Sequence, residues 1–172
     1  MANVIAHLTN TDLKSMEDLF QKEVSVPLKL EHLYFTVNDY TDKHKAIGYY
    51  RSRKGGTWKP GVFRAASGLH TDAVTYANFL IAVMKNTGLR KVNIDEMLKE
   101  QSTINSNLTD GLGFEREPTK YGIRYQHTGN NGNFQSGFMF FKEQRNGFVV
   151  LVNCDNGLKL HEKLISFLTE AK

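Results

Sequence analysis

The sequence has a single cysteine, Cys154, so no intrachain disulfide can form and cysteine usage points to no compartment. Only three prolines occur in 172 residues, and the fourteen glycines are spread out rather than gathered in a linker, which excludes low-complexity and collagen-like classes. No window approaches about 18 consecutive apolar residues, so no membrane span is expected. The stretch from Met1 to Leu8 also lacks the charged and apolar regions of a secretory signal.

Several catalytic patterns are missing as well. A neutral hydroxyl is a poor nucleophile until a base takes its proton. Yet no serine, from Ser15 to Ser166, has a Lys three residues on, and there is no Gly-x-Ser-x-Gly. Cys154 follows an apolar run, where burial would raise its pKa and keep it inert. None of the six histidines sits three or four residues from another, and neither a Cys pair nor His-Glu-x-x-His occurs, so no zinc site and no cofactor are expected.

What is present suits one soluble domain over 1–172, long enough to bury roughly two-thirds of its unfolded surface. Hydrophobic residues make up 40% and charged residues 23%, which gives no reason to expect disorder. The formal net charge is +4, with basic runs at Lys43-His44-Lys45 and Arg51-Ser52-Arg53-Lys54 close to Trp58. A nucleic-acid patch is one reading of them. Eighteen acidic residues interspersed along the chain favour the other, a solvated loop, and no nucleic-acid partner is expected.

Periodicity divides the chain. Thr9-Asn10-Thr11-Asp12 offers capping side chains before Leu13, Met16, Leu19 and Phe20, a helix expected to stop before Pro27. A self-anchoring loop to about Lys45 and a short strand at Ile47 to Arg51 follow. Thr71-Asp72 then opens the strongest helix, with Tyr76, Phe79, Leu80, Val83 and Met84 on one stripe and Gly88 as its stop. A shorter helix is expected at Ile94 to Gln101.

From Leu112 onward strands take over: Ile123-Arg124-Tyr125, Phe134 to Phe141, and Phe148 to Val152. Asn146-Gly147 signals the hairpin turn, and the unbroken apolar run after it implies cover on both faces. Asp155-Asn156-Gly157 leads into a final helix with Leu160, Leu164, Ile165 and Leu168 inward. Helices, then antiparallel strands, then a closing helix make an α+β fold.

Two motifs remain. Tyr76-Ala77-Asn78 matches a Tyr-x-Asn element superficially, but Tyr76 shares the core stripe, so its reading is structural. His127-Thr128-Gly129, followed by the Asn130-Asn131-Gly132-Asn133 turn, supports two readings. It is either a hairpin turn with an exposed His, or a site wall where glycine admits a ligand and the next N–H donates to an oxyanion.

In order, several segments resemble the later half of the serine β-lactamase-related family, which includes class C β-lactamases, carboxylesterases and D-amino-acid peptidases. Val26-Pro27-Leu28-Lys29-Leu30-Glu31-His32-Leu33-Tyr34-Phe35 is similar to "PLGM-x-x-T-x-F", with Lys29 in place of Gly and Leu33 in place of Thr. Ala66-Ser67-Gly68-Leu69-His70-Thr71, leading into Tyr76, Ala77, Phe79 and Leu80, resembles "A-G-G-L-x-S/T-T-A-x-D-Y-A-x-F". Gly111 to Phe114 resembles "GLGF", and Tyr125 to Phe134 resembles "GHSG…G-x-x-S".

The resemblance implies a partial β-lactamase/transpeptidase-like fold, with C-terminal antiparallel strands, a closing helix and helices of the helical lobe. It makes His127-Thr128-Gly129 the Lys/His-Ser/Thr-Gly element on the strand beside the nucleophile. His127 would polarise the substrate and the catalytic Tyr, Thr128 would contact a polar group, and the Asn130 N–H would complete the oxyanion hole. The family's Ser-x-x-Lys helix and Tyr-x-Asn loop are expected upstream of the matched region, which leaves no catalytic nucleophile here. The expectation is one wall of a site for an ester, amide or lactam, inactive alone. The alternative is a non-catalytic binding or dimerisation module, since missing sheet partners would favour a homodimer or a complementing N-terminal segment.

Overall fold

In the computed structural model, which describes residues 2–55, 63–88 and 90–170, the first part of the chain is built from short pieces. Helices α1 (Ala2–Leu8) and α2 (Met16–Phe20) bring Ala6 and Met16 against Phe63, a small core edged by Leu13, Phe20 and Phe35. The Asp12 carboxylate accepts the Ser15 N–H at 2.8 Å, and this bond holds its pKa below the usual carboxylate value.

The helix does not stop before Pro27. A wider π turn, Gln21–Ser25, runs into α3 (Val26–Leu28), where Pro27 sits in the first turn and its missing N–H costs little. Lys29 ends the helix at φ 56°, in the left-handed region where the resembled segment carries Gly.

Strand β1 (Leu33–Tyr34) follows, and the stretch expected as a loop contains α4 (Asp39–His44). Its start is fixed by a reciprocal cap between Asn38 and Thr41, a signal that the polar composition hid. The strand expected at Ile47 to Arg51 shrinks to β2 (Tyr49–Tyr50), which pairs with β3 (Arg53–Lys54). Trp58 lies outside the described residues. Strand β4 (His70–Thr71) pairs with β1 and leads into α5 (Ala73–Met84), whose first turn Asp72 caps through the Thr75 N–H at 2.8 Å. Helix α6 is Lys91–Leu98.

The rest is an antiparallel sheet of six strands and one helix: β5 (Ser102–Thr103), β6 (Thr109–Asp110), β7 (Glu115–Thr119), β8 (Gly122–Asn130), β9 (Gln135–Phe141), β10 (Asn146–Val152) and α7 (Gly157–Glu170). The spatial order is β10-β9-β8-β7-β6-β5. In the β8–β9 register Tyr125 faces Phe140 and His127 faces Phe138. Tyr125, Phe138 and Phe140 meet α5 and α6 in the main core, where Leu80, Val83, Ile94 and Leu98 close over Phe140, itself fully buried.

Three expectations need correction, for the hairpin turn, Cys154 and the inward face of α7. The hairpin turn lies before Asn146-Gly147, at residues 142–145 with Arg145 at φ 55°, while Asn146 and Gly147 already pair with Phe141 and Phe140. Gly147 is required by packing, because a Cβ there would sit 2.7 Å from that of Phe140. Strand β10 is an edge strand, yet the cover expected on both faces is there, with α5 packed on the side of Val149 and α7 on the side of Phe148, while Leu151 is 39% exposed. Cys154 is half-buried and bridges to Tyr49.

In α7 the residue turned fully into the sheet is His161, while Leu160 and Leu168 are exposed. The cause is Gly137: with no side chain there, the sheet leaves a slot that the imidazole fills, with Cγ 2.7 Å from where a Cβ would stand. Burial pushes the His161 pKa down. Among the described residues, no helix is long and apolar enough to cross a membrane.

Candidate functional site

The last four residues of β8 are placed by what β7 does not do. β7 begins at Glu115, opposite Gln126, so among the described residues the strand from His127 to Asn130 is paired by β9 alone and its other edge is open. The Asn131 N–H donates to the Phe134 carbonyl at 2.9 Å, which fixes the phase of the hairpin. Alternate residues of an antiparallel strand direct their N–H and C=O to opposite sides. Thr128 and Asn130 therefore turn both groups away from β9, into the open edge.

One of these groups is already engaged. The Thr128 carbonyl accepts a hydrogen bond from His127 Nδ1 at 2.8 Å. A carbonyl can only accept, so Nδ1 carries a proton and donates, and Nε2 is the ring nitrogen left for another partner. His127, Thr128 and Asn130 are exposed, whereas Gly129 is half-buried. A Cβ on Gly129 would approach the Ser136 hydroxyl to 2.7 Å, so glycine lets β8 lie flat against β9 here.

The four residues expected from the sequence thus share one wall of a cleft of about 1150 Å³ that separates the sheet from the first part of the chain. The facing wall holds residues that the sequence did not single out. His32 Nδ1 donates to the Asp72 carboxylate at 2.7 Å, and its ring stacks on Tyr40 at 4.5 Å. Burial works to raise the Asp72 pKa, but the Thr75 N–H, the His32 ring and the Thr75 hydroxyl outweigh it and hold the carboxyl below its usual value. Burial lowers His70. The His32–Asp72 contact joins residues forty positions apart, and no local pattern could have announced it.

Tyr76 also reaches the cleft, but as part of its floor. Its ring lies 5.6 Å from Phe138 and 5.7 Å from Phe79, and burial pushes its phenol up to about 12, too high for an acid or base near neutrality. This agrees with the structural reading of Tyr76-Ala77-Asn78. Asn131 Nδ2 donates to the Ser67 carbonyl at 3.3 Å, which ties the turn after the site strand to the segment before α5. No group of three or more His, Cys, Asp or Glu among the described residues could hold a metal ion.

Comparison with known proteins supplies the relation. The structure is similar to the beta-lactamase/D-alanine carboxypeptidase from Pseudomonas syringae, at 17% identity with a TM-score of 0.82, covering 99% of this chain and 57% of that one. It is also similar to the octameric penicillin-binding protein homologue from Pyrococcus abyssi, at 19% identity and a TM-score of 0.82, covering 97% of this chain and 40% of that one. The D-alanine carboxypeptidase AmpC from Burkholderia cenocepacia follows at 16% identity and a TM-score of 0.78, with 94% and 56% covered. The chain therefore spans about half the length of these solved relatives. None of the curated proteins matches it. The family model described as Beta-lactamase matches residues 1–171, and with the α+β architecture and the β8 wall in place, the chain belongs to the beta-lactamase family.

Proposed function

We propose that the chain carries the strand-borne wall of an acyl-transfer site for esters, amides or lactams, and does not turn over substrate by itself. The observation that carries this reading is the open β8 edge, where the backbone of Thr128 and Asn130 faces the cleft beside a pinned His127. A carbonyl under attack becomes tetrahedral and its oxygen anionic. An N–H already aimed into the cleft stabilises that charge without reorganising, and Asn130 supplies it. Gly129, having no side chain, leaves the edge accessible.

His127 Nε2 then accepts from a hydroxyl in the site, and the Thr128 hydroxyl contacts a polar group of the substrate. The similar structures include D-alanine carboxypeptidases, which makes a short acyl peptide or a lactam a reasonable class to try. Nucleophile and base would come from the part of the fold that this chain does not match, and orientation without them gives no acyl-enzyme.

Two measurements test this. A fluorophosphonate probe followed by intact mass should give no adduct, and a stoichiometric adduct on one serine would overturn the inactive-alone reading. Titration with a penicillin, followed by amide shifts, should move Thr128 and Asn130 first, with an Asn130→Pro variant losing the response. Shifts confined to the helices would remove β8 as the wall. The free edge of β10 is what favours the second reading, a non-catalytic binding or dimerisation module.

A further inference from the structure

The turn between β8 and β9 closes largely on itself. The Asn130 side-chain oxygen accepts the Gly132 N–H at 2.9 Å, with Gly132 at φ 77°, and the Asn133 N–H donates to the Asn131 carbonyl at 3.1 Å. The Asn133 side chain then reaches away from the turn, to the base of the β2–β3 hairpin, where two glycines make room for it. There the Gly55 N–H donates to the Gly48 carbonyl at 2.7 Å. A Cβ on Gly48 would stand 2.6 Å from Asn133 Nδ2 and from Phe134 Cε2, and a Cβ on Gly55 would meet Asn133 Nδ2 and, at 3.0 Å, its Cγ. Neither glycine has a positive φ, so packing, not backbone conformation, excludes a side chain at both positions.

The hairpin that forms this slot is itself fixed to the sheet. The Tyr49 N–H donates to the Asn153 carbonyl at 2.8 Å, Asn153 Nδ2 donates to the Ile47 carbonyl at 2.8 Å, and the Arg51 N–H donates to the Asp155 carboxylate at 3.2 Å. A brace therefore runs from the end of β10, through β2 and β3, to the turn that follows Asn130. The other tie of that turn, from Asn131 to Ser67, is exposed and 3.3 Å long.

We propose that Asn133, seated between Gly48 and Gly55, is a positioning residue that holds the Asn130 N–H in its direction at the open edge of β8. Among the described residues, β9 alone pairs with the strand from His127 to Asn130, so the turn is where the aim of its last N–H is set. A donor stabilises a developing oxyanion only if it is aimed beforehand, and a misplacement of about 1 Å far from the chemistry costs about a hundred-fold in rate. Asn133 does not line the cleft, so it touches no ligand there and acts through the turn. The consequence for ligand binding rests on the acyl-transfer reading, whereas the positioning itself does not.

The test compares the 172-residue chain with Asn133→Ala, Gly55→Ala and the double variant, by amide relaxation without ligand, by penicillin titration and by thermal melts. Each single variant should still melt cooperatively. Each should lower the order parameter of the Asn130 N–H from the rigid level of about 0.85 to below about 0.6. Each should also raise the penicillin dissociation constant at least about ten-fold. In the double variant the amide that Gly55→Ala collides with is gone, so its effects should be no larger than those of Asn133→Ala alone. If Gly55→Ala unfolds, Asn133→Ala, which adds no atoms, decides. Variants that melt lower but keep the wild-type order parameter at Asn130 overturn the proposal, and so do fully additive effects in the double variant. A wild type that binds no penicillin removes the acyl-transfer reading instead, and the order parameter then decides the positioning role by itself.

Discussion

Among the described residues, the end of β8 and the length of β10 both present unpaired backbone groups, and these two edges differ in what surrounds the same N–H and C=O. At the end of β8 the neighbours are an imidazole, a hydroxyl, a glycine and an asparagine, lining a cleft. Along β10 they are Phe148, Val149 and Leu151, with no charge between Asn146 and Asn153. Backbone geometry supplies the hydrogen-bonding capacity in both places. The side chains then decide between a small polar ligand, which must replace its hydration, and another apolar surface, which gains by excluding water.

The largest effect should come from the layer that supports both edges. Phe140→Ala removes a fully buried ring packed against Tyr125, Phe114 and Phe138, and should cost about 3–5 kcal/mol in denaturant unfolding. The ligand response at Asn130 should fail with it, so this variant breaks the comparison rather than resolving it. Gly129→Val separates the edges. Its Cβ meets the Ser136 hydroxyl, with an expected loss of about 1–3 kcal/mol that distorts β8 and leaves the amide shifts of β10 unchanged.

Acid should act on the β10 side first. His161 is buried against Gly137 and Phe138, and Phe148 lies 5.4 Å from its ring. Arg124 disfavours its charged form, while Glu162 and Glu115 favour it. Because its folded pKa lies below the usual 6.5, the unfolded chain binds the proton more readily, and stability falls as pH drops below about 6.5. Asp72, depressed by its caps, adds a loss at lower pH, as the solution is acidified from the unfolded carboxylate value through the folded one. A His161→Phe variant should flatten the upper part of the profile in melts recorded between pH 7 and pH 5. The smallest effect calibrates the rest away from either edge: Lys29→Gly relieves a left-handed residue and should gain about 1 kcal/mol.

Much of this was readable along the chain because the responsible signals are local. The stripe from Tyr76 to Met84, the cap at Asp72, the strand at Phe134 to Phe141 and the His127-Thr128-Gly129-Asn130 order all act within a few residues. The same locality explains the misses. The Asn38–Thr41 cap was hidden in polar composition, and Pro27 suited a helix start once a π turn had preceded it. The inward turn of His161 needed Gly137, which belongs to another element.

By itself the sequence determined the α+β order, the absence of a Ser-x-x-Lys nucleophile and the family, since periodicity and motif order are properties of neighbours along the chain. The tertiary structure alone decided that β7 stops short of His127, that Thr128 and Asn130 face outward, and that β10 is an edge. Those are facts of strand pairing, and pairing depends on which segments meet in space: a hydrogen bond withheld from one residue is set by where another strand ends.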